Sequence, residues 1–122
     1  MSYLISSKQV DIDRSVTWAN NAVVNTSVTI NFTKPAQPVD KYQITFDNQS
    51  LETSVTCNVY ALKTINGVQK PSHIGVLSYA ANAVQSKTIE NIFVNADLRL
   101  VFSNGSAIVT GFTGYVKIEE VM

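Results

Sequence analysis

The chain has 122 residues, 45% of them hydrophobic, and its 9 basic and 9 acidic side chains leave a formal net charge of zero. That length accommodates one domain around one core, and with 15% charged residues the self-repulsion that keeps chains disordered is missing. So is the clustering of Lys and Arg that a phosphate backbone requires, which excludes nucleic acid as an expected partner.

The opening stretch from Met1 to Ser15 has no basic region followed by a long apolar run, so a secretory signal peptide is not expected. No run reaches the roughly 18 apolar residues of a membrane-spanning helix, and a membrane is not an expected partner. Val10 and Ile12 alternate with Asp11 and Asp13, and Val16 and Trp18 with Ser15 and Thr17, which predicts one or two strands before a loop from Asn20 to Thr26. Ser27 to Phe32 and Tyr42 to Phe46 show the same period of two, separated by a connection whose Pro35 and Pro38 cannot donate to a ladder. Val55, Cys57, Val59 and Ala61 share a face of the next strand. Asn66-Gly67 then accepts the positive φ angles of a tight hairpin turn.

The return path is predicted over Val68 to Gln69 and Ile74 to Tyr79, interrupted at Pro71, with at most one helical turn at Ala80 to Val84. Lys87 to Val94 and Leu98 to Phe102 read as further strands, and Asn104-Gly105 as a second hairpin signal. Ala107 to Phe112 and Tyr115 to Val121 follow, with a bend at Gly111 to Gly114 for which glycine supplies the backbone angles. The expected fold is all-β: one antiparallel two-sheet β-sandwich, jelly-roll-like, of about eight or nine strands over residues 1–122. Residues 1–13 are expected to form an extended N-terminal contact segment.

Chemistry is constrained by scarcity. His73 is the only histidine, so any proton-relay triad has to use it, and its place just after Pro71 suits a surface residue. Cys57 is the only cysteine, which excludes an internal disulfide, and it is in phase with Val55 and Val59 as a small core residue. Asp11 and Asp13, with Asp40, Asp47 and Asp97 at loop ends, are more economically read as turn and strand residues than as Ca²⁺ ligands. No enzyme, cofactor or metal is expected. Four Asn-x-Ser/Thr triplets stand at Asn25, Asn31, Asn48 and Asn104, of which so Asn-, Ser- and Thr-rich a chain produces about two by chance, and with no signal peptide expected they are not read as glycosylation sites.

Aromatic side chains on a sandwich invite sugar stacking, and Tyr3, Trp18, Tyr60 and Tyr79 are the candidates, with Trp18 and Tyr79 as the expected stacking pair. Trp18 is also in phase with Val16, which favours the core. Tyr60 lies on the face opposite Val55, Cys57 and Val59, and Leu62 continues that face as an apolar strip. Together with Tyr3, Leu4 and Ile5 of the N-terminal segment, Tyr60 and Leu62 are the residues expected at a protein interface.

The strand Leu98 to Phe102, the Ser103-Asn104-Gly105 turn and the closing run Thr113 to Glu119 resemble the end of jelly-roll domains in small accessory virion proteins of tailed bacteriophages. More loosely they resemble discoidin-like and carbohydrate-binding sandwiches. The first resemblance implies a capsid decoration or cement protein, made in the host cytoplasm and located in the virion. Its partners would be the major capsid protein or other virion subunits, and it would form a homo-oligomer, a trimer by that analogy. The second implies a carbohydrate-binding or host-receptor-binding module.

Overall fold

A computed structural model describes residues 11–33, 41–90 and 96–121. Eight strands occupy these residues: β1 (Asp11–Trp18), β2 (Ser27–Phe32), β3 (Lys41–Asn48), β4 (Val55–Ile65), β5 (Val68–Tyr79), β6 (Ala83–Glu90), β7 (Asp97–Asn104) and β8 (Phe112–Val121). The antiparallel pairs β1–β8, β2–β7, β3–β6 and β4–β5 are those of one long hairpin folded back on itself. The β3–β8 and β4–β7 pairings lay these ribbons side by side as two four-stranded sheets, β1-β8-β3-β6 and β2-β7-β4-β5. A rolled hairpin of this kind is a jelly roll.

The period of two read from sequence is what the two layers require. Ile30 and Phe32 of β2, Tyr42, Ile44 and Phe46 of β3, Val55, Cys57, Val59 and Ala61 of β4, and Leu98, Leu100 and Phe102 of β7 all face the core and are 7% exposed or less. Phe46 stands at its centre, tilted against Phe102 with ring centroids 5.1 Å apart and against Tyr79 at 5.5 Å. Such aromatic contacts add about 0.5–1.5 kcal/mol each beyond the area they bury. The β4–β5 hairpin turns at Asn66 (φ 52) and Gly67 (φ 77), the two positive angles of a tight hairpin, as the dipeptide predicted.

The amino-terminal alternation makes one strand, of the one or two expected, from Asp11 to Trp18, paired along its length with β8. Several other local expectations are corrected. β5 runs unbroken through Pro71 because it is an edge strand, where one flank needs no ladder partner. The segment at Ala80 to Val84 contains a tight turn with Asn82 at φ 50, and β6 starts at Ala83.

Asn104-Gly105 does not turn a hairpin: β7 and β8 belong to different sheets, so residues 105–111 form a crossing loop in place of the expected strand from Ala107. The chain also does not bend at Gly114, which lies inside β8. Glycine is required there for space, since a Cβ would collide with the Phe46 ring and sit 3.1 Å from the Asp47 carbonyl.

Candidate functional site

Cross-strand register assembles a site on the outer face of β2-β7-β4-β5. Asn31 lies opposite Arg99, Arg99 opposite Tyr60, and Tyr60 opposite His73, so these four side chains stand abreast across all four strands. With neighbouring strands about 4.8 Å apart the row spans about 14 Å. The next row carries Thr29, Val101, Asn58 and Val76.

His73 reaches this face through a defect in the ladder. Val59 pairs with Gly75 but Tyr60 pairs with His73, leaving Ile74 as an extra residue in β5. Counting back from the buried Tyr79 and Leu77, strict alternation would turn His73 inward; the bulge reverses that phase and brings it out beside Tyr60. Its ring centroid is 5.2 Å from that of Tyr60, and Nε2 is 3.0 Å from Asn58 Oδ1. On the other side, Arg99 Nε donates to Asn31 Oδ1 at 3.1 Å, which orients the guanidinium plane. A cleft of about 420 Å³ opens on this face, lined by Thr29, Asn31, Tyr60, Pro71, Arg99 and Val101. Asn31, Arg99 and His73 were not foreseen as site residues; β-period placed Asn31 and Arg99 outward but could not align them across strands that are distant in sequence.

The other expected residues divide sharply. Tyr60 is half-buried on the outer face, as its phase required. Leu62 shares that phase but is 7% exposed, which contradicts an exposed apolar strip. β4 is an interior strand, with Pro71 and Asp97 abreast of Leu62 on its two flanks, and a side chain hemmed in on both sides is withdrawn from water. Trp18 and Tyr79 cannot stack on a sugar, being 2% and 1% exposed. Trp18 lies flat on Phe112, centroids 4.8 Å apart and planes 13° apart, and its Nε1 donates to the Thr26 carbonyl at 2.9 Å. Tyr79 donates its hydroxyl to the Ile44 carbonyl at 2.7 Å, and burial raises its pKa. Tyr3, Leu4 and Ile5 lie outside the described residues. Cys57 is fully buried and its thiol is pushed up to about 12 by desolvation, so little nucleophilic thiolate exists at neutral pH.

A second surface is the end of the sandwich where the loops after β1, β3, β5 and β7 meet. Two buried amides, Asn48 (1% exposed) and Asn104 (0%), knit it together. Asn104 Oδ1 accepts from Thr26 N at 2.8 Å, while Nδ2 donates to the carbonyls of Val23 and Ser106, both at 2.9 Å. Asn48 Nδ2 donates to the carbonyls of Thr53 (2.9 Å) and Ala80 (3.1 Å), and Oδ1 accepts from Ser50 N. The Glu52 carboxylate accepts from the backbone amides of Val109 (2.8 Å) and Thr110 (3.0 Å), which lowers its pKa. Neither Asn48 nor Asn104 is open to glycosylation. On this braced framework Val23, Leu51 and Val109 are 69%, 78% and 70% exposed.

No protein-family model matches the chain, and no curated protein is similar to it in sequence. Solved structures are similar in fold. The Yersinia pseudotuberculosis-derived mitogen is 10% identical with a TM-score of 0.57, over 93% of this chain and 86% of that one. A carbohydrate-binding module of the β-sandwich superfamily is 7% identical with a TM-score of 0.52, over 95% of this chain and 55% of the other. A structure of the Gx strain of infectious bursal disease virus is 7% identical with a TM-score of 0.50, over 96% of this chain and 34% of that one. At such identities the likeness is one of fold, and the described residues form a β-sandwich of eight strands with jelly-roll topology.

Proposed function

We propose that the chain is a non-enzymatic virion structural protein, a decoration or cement protein that docks on an assembled phage head and stabilises it. The observation that carries this reading is the loop end. Backbone loops usually remain mobile, yet here Asn48, Asn104 and Glu52 tie four of them together while Val23, Leu51 and Val109 stay in water. Apolar side chains held ready on a rigid frame lose little further entropy on docking, which is the economy a permanent structural contact needs. The edge strands β1, β6, β2 and β5 offer a second route, by sheet addition between subunits of a homo-oligomer such as a trimer. A ligand that binds only the assembled particle deepens the free-energy well of that state.

The test uses purified protein and capsids lacking it. Binding should raise the temperature at which the particles come apart, and Leu51→Asp with Val109→Asp should remove both binding and stabilisation without altering the fold. Particles that bind the protein with no gain in resistance, or fail to bind it, would overturn the reading.

A second reading, a carbohydrate- or receptor-binding module, is favoured by the outer-face row. Tyr60 offers a ring edged by Asn58, Asn31, Thr29 and Arg99, the combination of an apolar platform and directional hydrogen bonds on which sugars are held. Glycan-array binding lost in Tyr60→Ala would support it.

A further inference from the structure

We infer that the row Asn31-Arg99-Tyr60-His73 is a site for an acidic sugar, one whose pyranose ring bears a carboxylate; this rests on the second, carbohydrate-binding reading and specifies its ligand. Tyr60 is half-buried on an interior strand, and its neighbour His73 tilts against it at 57°. The two rings therefore form an angled wall beside the cleft, against which the apolar face of a sugar ring packs. Asn31 ends this row on β2 and Asn58 stands in the next row beside Tyr60, and each engages one of the larger groups: Asn58 the imidazole and Asn31 the guanidinium. Both amides retain further hydrogen-bonding capacity for ring hydroxyls.

The charge of the ligand follows from Arg99. It is the one charged side chain lining the cleft among the described residues, and no carboxylate lines the cleft with it. Asp97, on the same face of β7, lies one row further along, opposite Leu62. Arg99 Nε is occupied by Asn31 Oδ1, which fixes the plane of the guanidinium and presents its terminal N–H groups for a planar, two-point acceptor. A carboxylate is that acceptor. The His73 bulge completes the arrangement, since without it the fourth strand would turn an imidazole inward and leave Tyr60 with no neighbouring ring.

The experiment is a ¹⁵N–¹H NMR titration of the intact chain with glucuronic acid and, separately, with glucose. It is paired with an array of acidic and neutral oligosaccharides. Glucuronic acid should shift the amides of Asn31, Tyr60, Arg99 and His73 and bind up to about fivefold more tightly than glucose, the ratio a partly exposed charge pair provides. Arg99→Gln should bring the two sugars to equal affinity, Tyr60→Ala should weaken both, and Tyr60→Phe should change neither. Equal binding of glucose and glucuronic acid by the unaltered protein overturns the acidic preference while leaving a carbohydrate site standing. Equal shifts with an acidic peptide overturn the sugar and point to a protein carboxylate. An absence of binding to either monosaccharide and to every glycan on the array overturns the site and the reading beneath it.

Discussion

Replacing Asn104 with alanine tests whether the loop end is held by its buried amides. The side chain is 0% exposed and makes three hydrogen bonds, from Thr26 N and to the carbonyls of Val23 and Ser106. Each contributes about 1 kcal/mol net, and each abandoned partner carries a desolvation cost unless water reaches it. The expected loss is therefore about 3 kcal/mol, a large share of the ~5–15 kcal/mol that a domain possesses. Urea unfolding should show the midpoint falling with the slope unchanged, and the melting temperature should drop by roughly 12 °C at about 4 °C per kcal/mol. Hydrogen exchange at the Thr26 amide should accelerate. Asn104→Asp should cost more than alanine at neutral pH, because it turns a carboxylate toward two carbonyl oxygens; lowering the pH should recover part of that loss by protonating it. A loss below about 1 kcal/mol for alanine, or an aspartate tolerated as well as alanine, would refute the reasoning.

Glu52 supplies a pH dependence of defined sign. Its pKa is lowered from 4.5 in the fold by the Val109 and Thr110 amides, so its contribution is present above pH 4.5 and lost as pH falls through the lower folded value. Exchange at those two amides should quicken over that acidic window, and Glu52→Gln should flatten the response. Gly114→Ala should destabilise by about 1–3 kcal/mol through its clash with the Phe46 ring, and Phe46→Leu in the same chain should recover part of the loss in a double-mutant cycle read by urea unfolding.

The legibility of the site differed from residue to residue for a physical reason. Tyr60 was readable because side-chain direction along one strand depends only on odd and even positions. Trp18 and Tyr79 were misleading as sugar platforms, since an aromatic residue with a polar tip looks the same in sequence whether its N–H or O–H meets water or a buried carbonyl. The carbonyls of Thr26 and Ile44 decided the matter, and they come from other parts of the chain. Leu62 had the correct phase and the wrong exposure, because burial on a sheet face depends on which strands lie on either flank.

The alternation of apolar and polar residues by itself determined the all-β class, the two-layer packing and most of the core, together with the Asn66-Gly67 hairpin. These follow from the geometry of a single pleated strand and of a single tight turn, which neighbouring residues settle between themselves. Only the tertiary structure decided that Asn31, Arg99, Tyr60 and His73 stand in one row, that the Ile74 bulge turns His73 outward, and that Asn48 and Asn104 brace the loops. Register, bulges and crossings between sheets are set by the joint energy of strands up to the length of the chain apart, and no local pattern carries that information.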